Sequence, residues 1–268
     1  MKAYAPEHIR NVALVSHQGA GKTTLAEAIL FKTGAIGRMG SVDEGTSNLD
    51  YHQSEIEHKT SIFTAIGSCE HEHTKFNLVD TPGFQRARAA LEWMQKQPGS
   101  AVDRANIVRM FAEEHHDDPR FAAECSLLTP ILDGAGILYV VDGSRPFGEE
   151  YEAEMEILRW TGQPSLALIN NIHNDDYIQE WRDGLSQYFH TVRVFDAHHA
   201  EFAKQLELLE LFGHLDPDWR LSIDRAIAAL QAERDQQHAE QLQLLNENKE
   251  ALKREFENLA HRIFEDKG

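Results

Sequence analysis

Val12-Ala13-Leu14-Val15 runs directly into Ser16-His17-Gln18-Gly19-Ala20-Gly21-Lys22-Thr23-Thr24. The four apolar residues read as a buried strand and Lys22 to Phe31 as a helix, so the glycine-rich turn between them decides the fold. That turn follows the phosphate-binding pattern of Gly, four residues, then Gly-Lys-Ser/Thr, except that Ser16 stands where the first Gly is usual. The physical logic survives the change. Gly19 and Gly21 let the backbone curl until its N–H groups face one centre, and the helix beginning near Lys22 adds the positive end of its dipole. In such a loop Lys22 reaches the β and γ phosphates, and the Thr23 hydroxyl ligates Mg²⁺. His17, Gln18, Ala20 and Thr24 complete the expected cradle.

A second anchor is Asp80-Thr81-Pro82-Gly83, placed directly after the apolar run Lys75 to Val79. An Asp at the C-terminal end of a strand can hold Mg²⁺ through a water, and the Gly83 N–H can sense a γ-phosphate. The remaining runs fit the same frame. Gly136 to Val141, Leu166 to Ile169 and Val192 to Phe195 read as strands, and Glu149 to Trp160 and Glu201 to Phe212 as helices. Ser61 to Cys69 reads as a further strand paired with Lys75 to Val79. Strands alternating with helices give an α/β fold, a P-loop NTPase with a doubly wound, mostly parallel sheet and an α-helical C-terminal extension. Residues 1–215 are assigned to the nucleotide-binding domain. It carries a helical insertion at about 84–132, broken at Pro98-Gly99 and near Asp118-Pro119. Residues 216–268 are assigned to a helical or coiled-coil tail. There Leu242, Leu245, Leu252, Phe256, Leu259 and Ile263 form an apolar seam.

The net charge of −18 disfavours binding of nucleic acid through phosphates or of anionic membrane through a basic segment, since both need clustered Lys and Arg. At 41% hydrophobic residues the chain can build a core. Cys69 and Cys125 cannot make a disulfide framework, the N-terminus lacks the apolar core of a signal peptide, and no apolar run reaches membrane length. A cytoplasmic protein is expected. The His pairs, at His71 and His73, His115 and His116, and His198 and His199, read as solvated turns rather than metal ligands. The Glu cluster from Glu149 to Glu156 reads as a solvated helix face.

From residue 10 to residue 83 these motifs resemble the translation-factor class of GTPases, elongation factor G most closely. Asp50-Tyr51, then Glu55, Glu57 and Thr60-Ser61-Ile62, resemble that class's first switch. On this alignment Ser61 takes the place of the Thr that ligates Mg²⁺, with Thr60 as the competing candidate. Asp80 to Gly83 matches its second switch. The remainder is more loosely similar to Era-like GTPases bearing helical domains of unknown function. The resemblance implies GTP and GDP as ligands with Mg²⁺, and GTP hydrolysis as a conformational switch.

Three departures from the family pattern bear on mechanism. Phe84 stands where elongation factor G has a water-positioning His, so Gln85, His17 or a partner's residue must take that part and intrinsic hydrolysis is expected to be slow. The guanine-reading Asn-Lys-x-Asp is here Asn170-Asn171-Ile172-His173, which keeps only Asn170. Asp175, Asp176 or Asp196 can supply the missing carboxylate, and the Ala197 N–H can bind the base oxygen. ATP use stays open on these residues. Nor does the stretch after residue 215 resemble that family's RNA-contacting domains, so translocation is not expected to carry over. A protein partner, or self-association through the C-terminal helices, is expected instead. The alternative is a nucleotide-binding scaffold with little catalysis that presents the tail to a partner.

Overall fold

The computed structural model describes residues 4–71, 74–170 and 176–195, together with isolated helical positions between Arg220 and Lys249. Its elements run β1 (Ile9–Val15), α1 (Lys22–Lys32), α2 (Gln53–His58), β2 (Ala65–His71), β3 (Thr74–Asp80), α3 (Ala87–Gln95), α4 (Arg104–Glu114) and α5 (Ala122–Leu132). They continue β4 (Gly136–Asp142), α6 (Glu149–Thr161), β5 (Ser165–Asn170), α7 (Ile178–Leu185) and β6 (Val192–Phe195). The strands form one six-stranded sheet in the order β2-β3-β1-β4-β5-β6. All neighbours are parallel except β2, which pairs antiparallel with β3. This is the P-loop NTPase fold.

Register explains why the two anchors meet. Leu14 pairs with Asp80, and Val15 with Tyr139. The turn after β1 and the Asp80 to Gly83 segment after β3 therefore leave the same edge of the sheet, the carboxyl ends of its parallel strands, where open α/β sheets bind ligands.

Parallel strands covered on both faces must be apolar throughout, and β4 is buried at all seven positions. One apolar cluster on the sheet takes in α3 to α7, with Met94, Phe111, Leu127, Tyr139, Leu158 and Trp181 fully buried. Side chains of that size contribute roughly 1.5–3 kcal/mol each when buried.

Two short helices, α2 and α7, escape the sequence pattern. Helix α7 buries only Trp181 and Leu185, too few for a periodic signal, and Gly184 makes room for Phe147: a Cβ there would lie 2.7 Å from its ring. The expected strand from Ser61 begins only at Ala65. The Ile62 and Phe63 amides are taken by the Glu55 carboxylate, 3.0 Å from each, instead of by a β ladder. The stretch 84–132 forms three helices, interrupted at the expected breaks.

By its contacts the chain divides into two compact units, Met1–Asp224 and Arg225–Gly268. The described positions from Arg220 to Lys249 are helical. The expected helix Glu201 to Phe212 and every named residue of the C-terminal apolar seam lie outside the described residues.

Candidate nucleotide-binding site

Gly19 and Gly21 take φ of +82° and +87°, a left-handed conformation that side chains resist, and α1 starts immediately after. Ser16, the departure from the motif, is fully buried, and its Oγ accepts a 2.9 Å hydrogen bond from Lys22 Nζ. Its carbonyl accepts the Phe84 N–H at 2.9 Å. One residue thus ties the lysine and the second switch to the loop. Burial lowers the Lys22 pKa, opposed by the charges of Asp80, Glu154 and Asp50.

Thr23, Ser61 and Asp80, expected around a cation, do come together. Thr23 Oγ1 donates to Asp80 Oδ2 at 2.7 Å and lies 2.9 Å from Ser61 Oγ, which donates to Asp50 Oδ1 at 2.8 Å. Each hydroxyl lies within hydrogen-bond distance of a carboxylate and of the other hydroxyl, so oxygen atoms crowd at one point. Asp80 Oδ1 and Asp50 Oδ2 are buried without a hydrogen-bond partner. Burial raises the Asp80 pKa to about 6, with Lys22 pulling the other way, and raises that of Asp50. Crowded hydroxyl oxygens and unpartnered carboxylate oxygens fit a small hard cation. Thr60, the competing candidate, turns elsewhere: its Oγ1 accepts from Gln18 Nε2 at 3.1 Å.

Sequence reasoning missed three buried carboxylates. Glu27 on α1 accepts hydrogen bonds from the Gly40, Asn48 and Leu49 amides and from the Ser47 hydroxyl, pinning the start of the first switch. Glu55 pins its end. Glu124 on α5 accepts the amides of Gln85 and Arg86. Nothing in the local sequence marks Glu27 or Glu124, whose partners lie 13 to 39 residues away, and the first-switch resemblance that includes Glu55 does not show that its carboxylate turns to the Ile62 and Phe63 amides. A fourth acid, Glu154, corrects the reading of a solvated Glu cluster. It is 1% exposed, with one oxygen 3.0 Å from His17 Nδ1 and the other accepting from Tyr139 Oη at 2.8 Å. It faces inward because α6 packs that side against β4 and the phosphate loop.

In the second switch, Gly83 has no room for a side chain. A Cβ there would lie 2.6 Å from the Gln18 nitrogen and 2.7 Å from its Cα. Phe84 is 1% exposed within the core. Gln85 has an exposed side chain and an amide turned to Glu124. Asn170 Nδ2 donates to the Ala20 carbonyl at 3.2 Å, and its Oδ1 is buried without a partner. Asp176 is exposed. Asn171, His173 and Asp175, and likewise Asp196, Ala197, His198 and His199, lie outside the described residues. No group of three or more His, Cys, Asp or Glu among the described residues is arranged to hold a metal by itself. Cys69 and Cys125 are free and buried, their thiols pushed up to about 11 chiefly by burial. No described helix is long and apolar enough to cross a membrane.

This sheet and loop define a P-loop NTPase. Residues 7–87 match the Elongation factor Tu GTP binding domain family, so this third of the chain matches a GTP-binding G domain of the translation-factor class. Residues 182–250 match a domain of unknown function, DUF3482. An elongation factor G-like protein of Mycobacterium tuberculosis is 45% identical over 82 residues, covering 31% of this chain and 12% of the relative. Elongation factor G of Salinibacter ruber is 40% identical over the same shares. The chain thus matches about an eighth of these relatives' length. Among solved structures, Era of Aquifex aeolicus bound to GDP.AlF4- is 14% identical, covers 78% of this chain and 57% of that one, and has a TM-score of 0.45.

Proposed function

We propose that the chain is a Mg²⁺-dependent GTP-binding protein that hydrolyses GTP to GDP and switches conformation as it does so. The observation that carries this reading is the junction at Thr23. Its hydroxyl touches both Asp80 from the second switch and Ser61 from the first, beside buried Lys22. Thr23 and Ser61 would hold Mg²⁺ with Asp80 behind them. When bound, the ion supplies positive charge against the phosphate oxygens. Lys22 leaves Ser16 for the β and γ phosphates. The backbone N–H groups from His17 to Thr24 wrap the phosphates, and Gly83 reads the last of them. Loss of the γ-phosphate frees Ser61 and Gly83, releasing both switches. Asn170 supports the loop beneath the base, and Asp196 and Ala197 read the base edge. The match of residues 7–87 to a GTP-binding domain family supports GTP rather than ATP as the nucleotide.

We divide the chain into a G domain at 1–215 with its helical insertion and a helical tail at 216–268. A protein partner, or a second copy, reads the tail, and the two free cysteines support a cytoplasmic placement. A second reading, a nucleotide-binding scaffold with little turnover, draws on Phe84, which offers no polar group to a water. Phosphate release by the purified chain, with Lys22→Ala as control, tests the proposal. Turnover should exceed the control by at least tenfold, and bound nucleotide with equal turnover would favour the scaffold. GTP and ATP affinities measured side by side should favour GTP, and equal or tighter ATP binding would overturn the base assignment.

A further inference from the structure

The residue that follows Gly83 offers the phosphate site no polar side chain. The Phe84 ring is in the core, and the backbone at Gln85 and Arg86 is drawn to Glu124. Hydrolysis needs a group that holds water in line with the γ-phosphate. Gln18 is placed for this. Its backbone is the surface against which Gly83 packs, so it borders the point where Gly83 would read the γ-phosphate. Its side chain crosses towards the first switch, where Nε2 donates to Thr60 Oγ1 at 3.1 Å, next to Ser61 of the cation site. Both switches therefore meet at one residue of the loop, the second at its backbone and the first at its carboxamide. The bond to Thr60 fixes that group's orientation and leaves Oε1 as the acceptor.

We propose that Gln18 is the catalytic residue that positions the attacking water, supplied by the phosphate loop in place of the second switch. The proposal rests on the GTPase reading. The Oε1 atom accepts a hydrogen bond from the water, whose oxygen attacks the γ-phosphorus. The bond from that phosphorus to the β–γ bridging oxygen breaks, the electron pair leaves with GDP, and the water proton passes to the released phosphate. A carboxamide does not take up the proton, so it acts by orientation and polarity alone. Thr60 is its positioning residue: the hydroxyl engages Gln18 only while the first switch is closed, which couples water placement to closure.

Single-turnover hydrolysis by the full-length protein, with GTP and GDP affinities measured in parallel, tests this. Gln18→Ala is expected to lower the rate by about 100-fold, as loss of a transition-state hydrogen-bonding group does, with both affinities changed less than about threefold. Thr60→Val should give an intermediate loss, and Thr60→Ser should restore most of the rate. GDP with aluminium fluoride, a mimic of the planar transition state, gives a second readout. Wild type should capture the fluoride complex, and Gln18→Ala should bind GDP without capturing it. Wild-type turnover with an undiminished rate in Gln18→Ala overturns the Gln18 assignment alone, as does loss of the rate in Gln85→Ala but not in Gln18→Ala. No wild-type turnover above Lys22→Ala, with nucleotide bound, overturns both this assignment and the GTPase reading.

Discussion

The two segments that close on the phosphate loop are held by opposite physics. Residues 40–64 are held by carboxylates: Glu27 and Glu55 gather backbone amides, and Asp50 gathers Ser61. Residues 80–84 are held by close fit: Phe84 is packed into the core, and Gly83 sits against the Gln18 backbone, with a carboxylate, Glu124, taking only the two amides that follow. Carboxylate bonds can be exchanged with water, a cation or a phosphate at modest net cost, whereas a buried ring cannot move without opening a cavity. On the proposed reading the first segment is the one suited to let go, and the second to transmit.

The sharpest way to break this contrast is Phe84→Ala. Truncating a fully buried ring should lower global stability by about 3–5 kcal/mol, read as a shift in the denaturant midpoint. Glu27→Ala comes next. It strands several amides at once, and a loss of about 1–3 kcal/mol is expected, concentrated in faster hydrogen exchange of residues 40–49. If that variant moves the midpoint as far as Phe84→Ala does, the first segment is part of the core and the contrast fails. Gly83→Ala should cost about 1–3 kcal/mol through overpacking against Gln18, and should reduce the preference for GTP over GDP, measured by competition binding.

The smallest effect is a pH dependence. With the Asp80 pKa raised to about 6 by burial, the folded ligand-free protein binds more protons than the unfolded chain between the ordinary carboxylate range and about pH 6. Its stability should therefore fall as pH rises through that window and level off above it. Mg²⁺ needs the ionised carboxylate, so its affinity should weaken as pH falls below about 6. Titrating Mg²⁺ at pH 5 and pH 7.5 checks this, and Asp80→Asn should flatten the dependence.

Where the sequence is legible follows the same division. Strand and helix periodicity, the glycines at 19 and 21, and the Asp80 to Gly83 run are local patterns, and they lead directly to the sheet and to the meeting of Thr23 with Asp80. Ser61 could be aligned but not separated from Thr60, because which hydroxyl turns inward depends on Glu55 taking the next two amides. Glu27, Glu124 and Glu154 look like ordinary helix-surface acids, since their role depends on backbone groups and side chains that only the folded chain brings near. The Gln18 carboxamide lies inside the motif, yet its bond to Thr60 spans two segments that no spacing connects.

The Glu124 contact joins two stretches of chain that are far apart in sequence. The amides it accepts belong to the residues that lead into α3, while Glu124 itself lies in the first turn of α5. Glu124 therefore works as a clasp: the chain leaves for α3 and α4 and returns at α5 with its two ends held side by side, which closes the stretch at little cost in chain entropy. Any displacement of residues 85 and 86 is felt at once at the start of α5, although two core-packed helices lie between them in sequence.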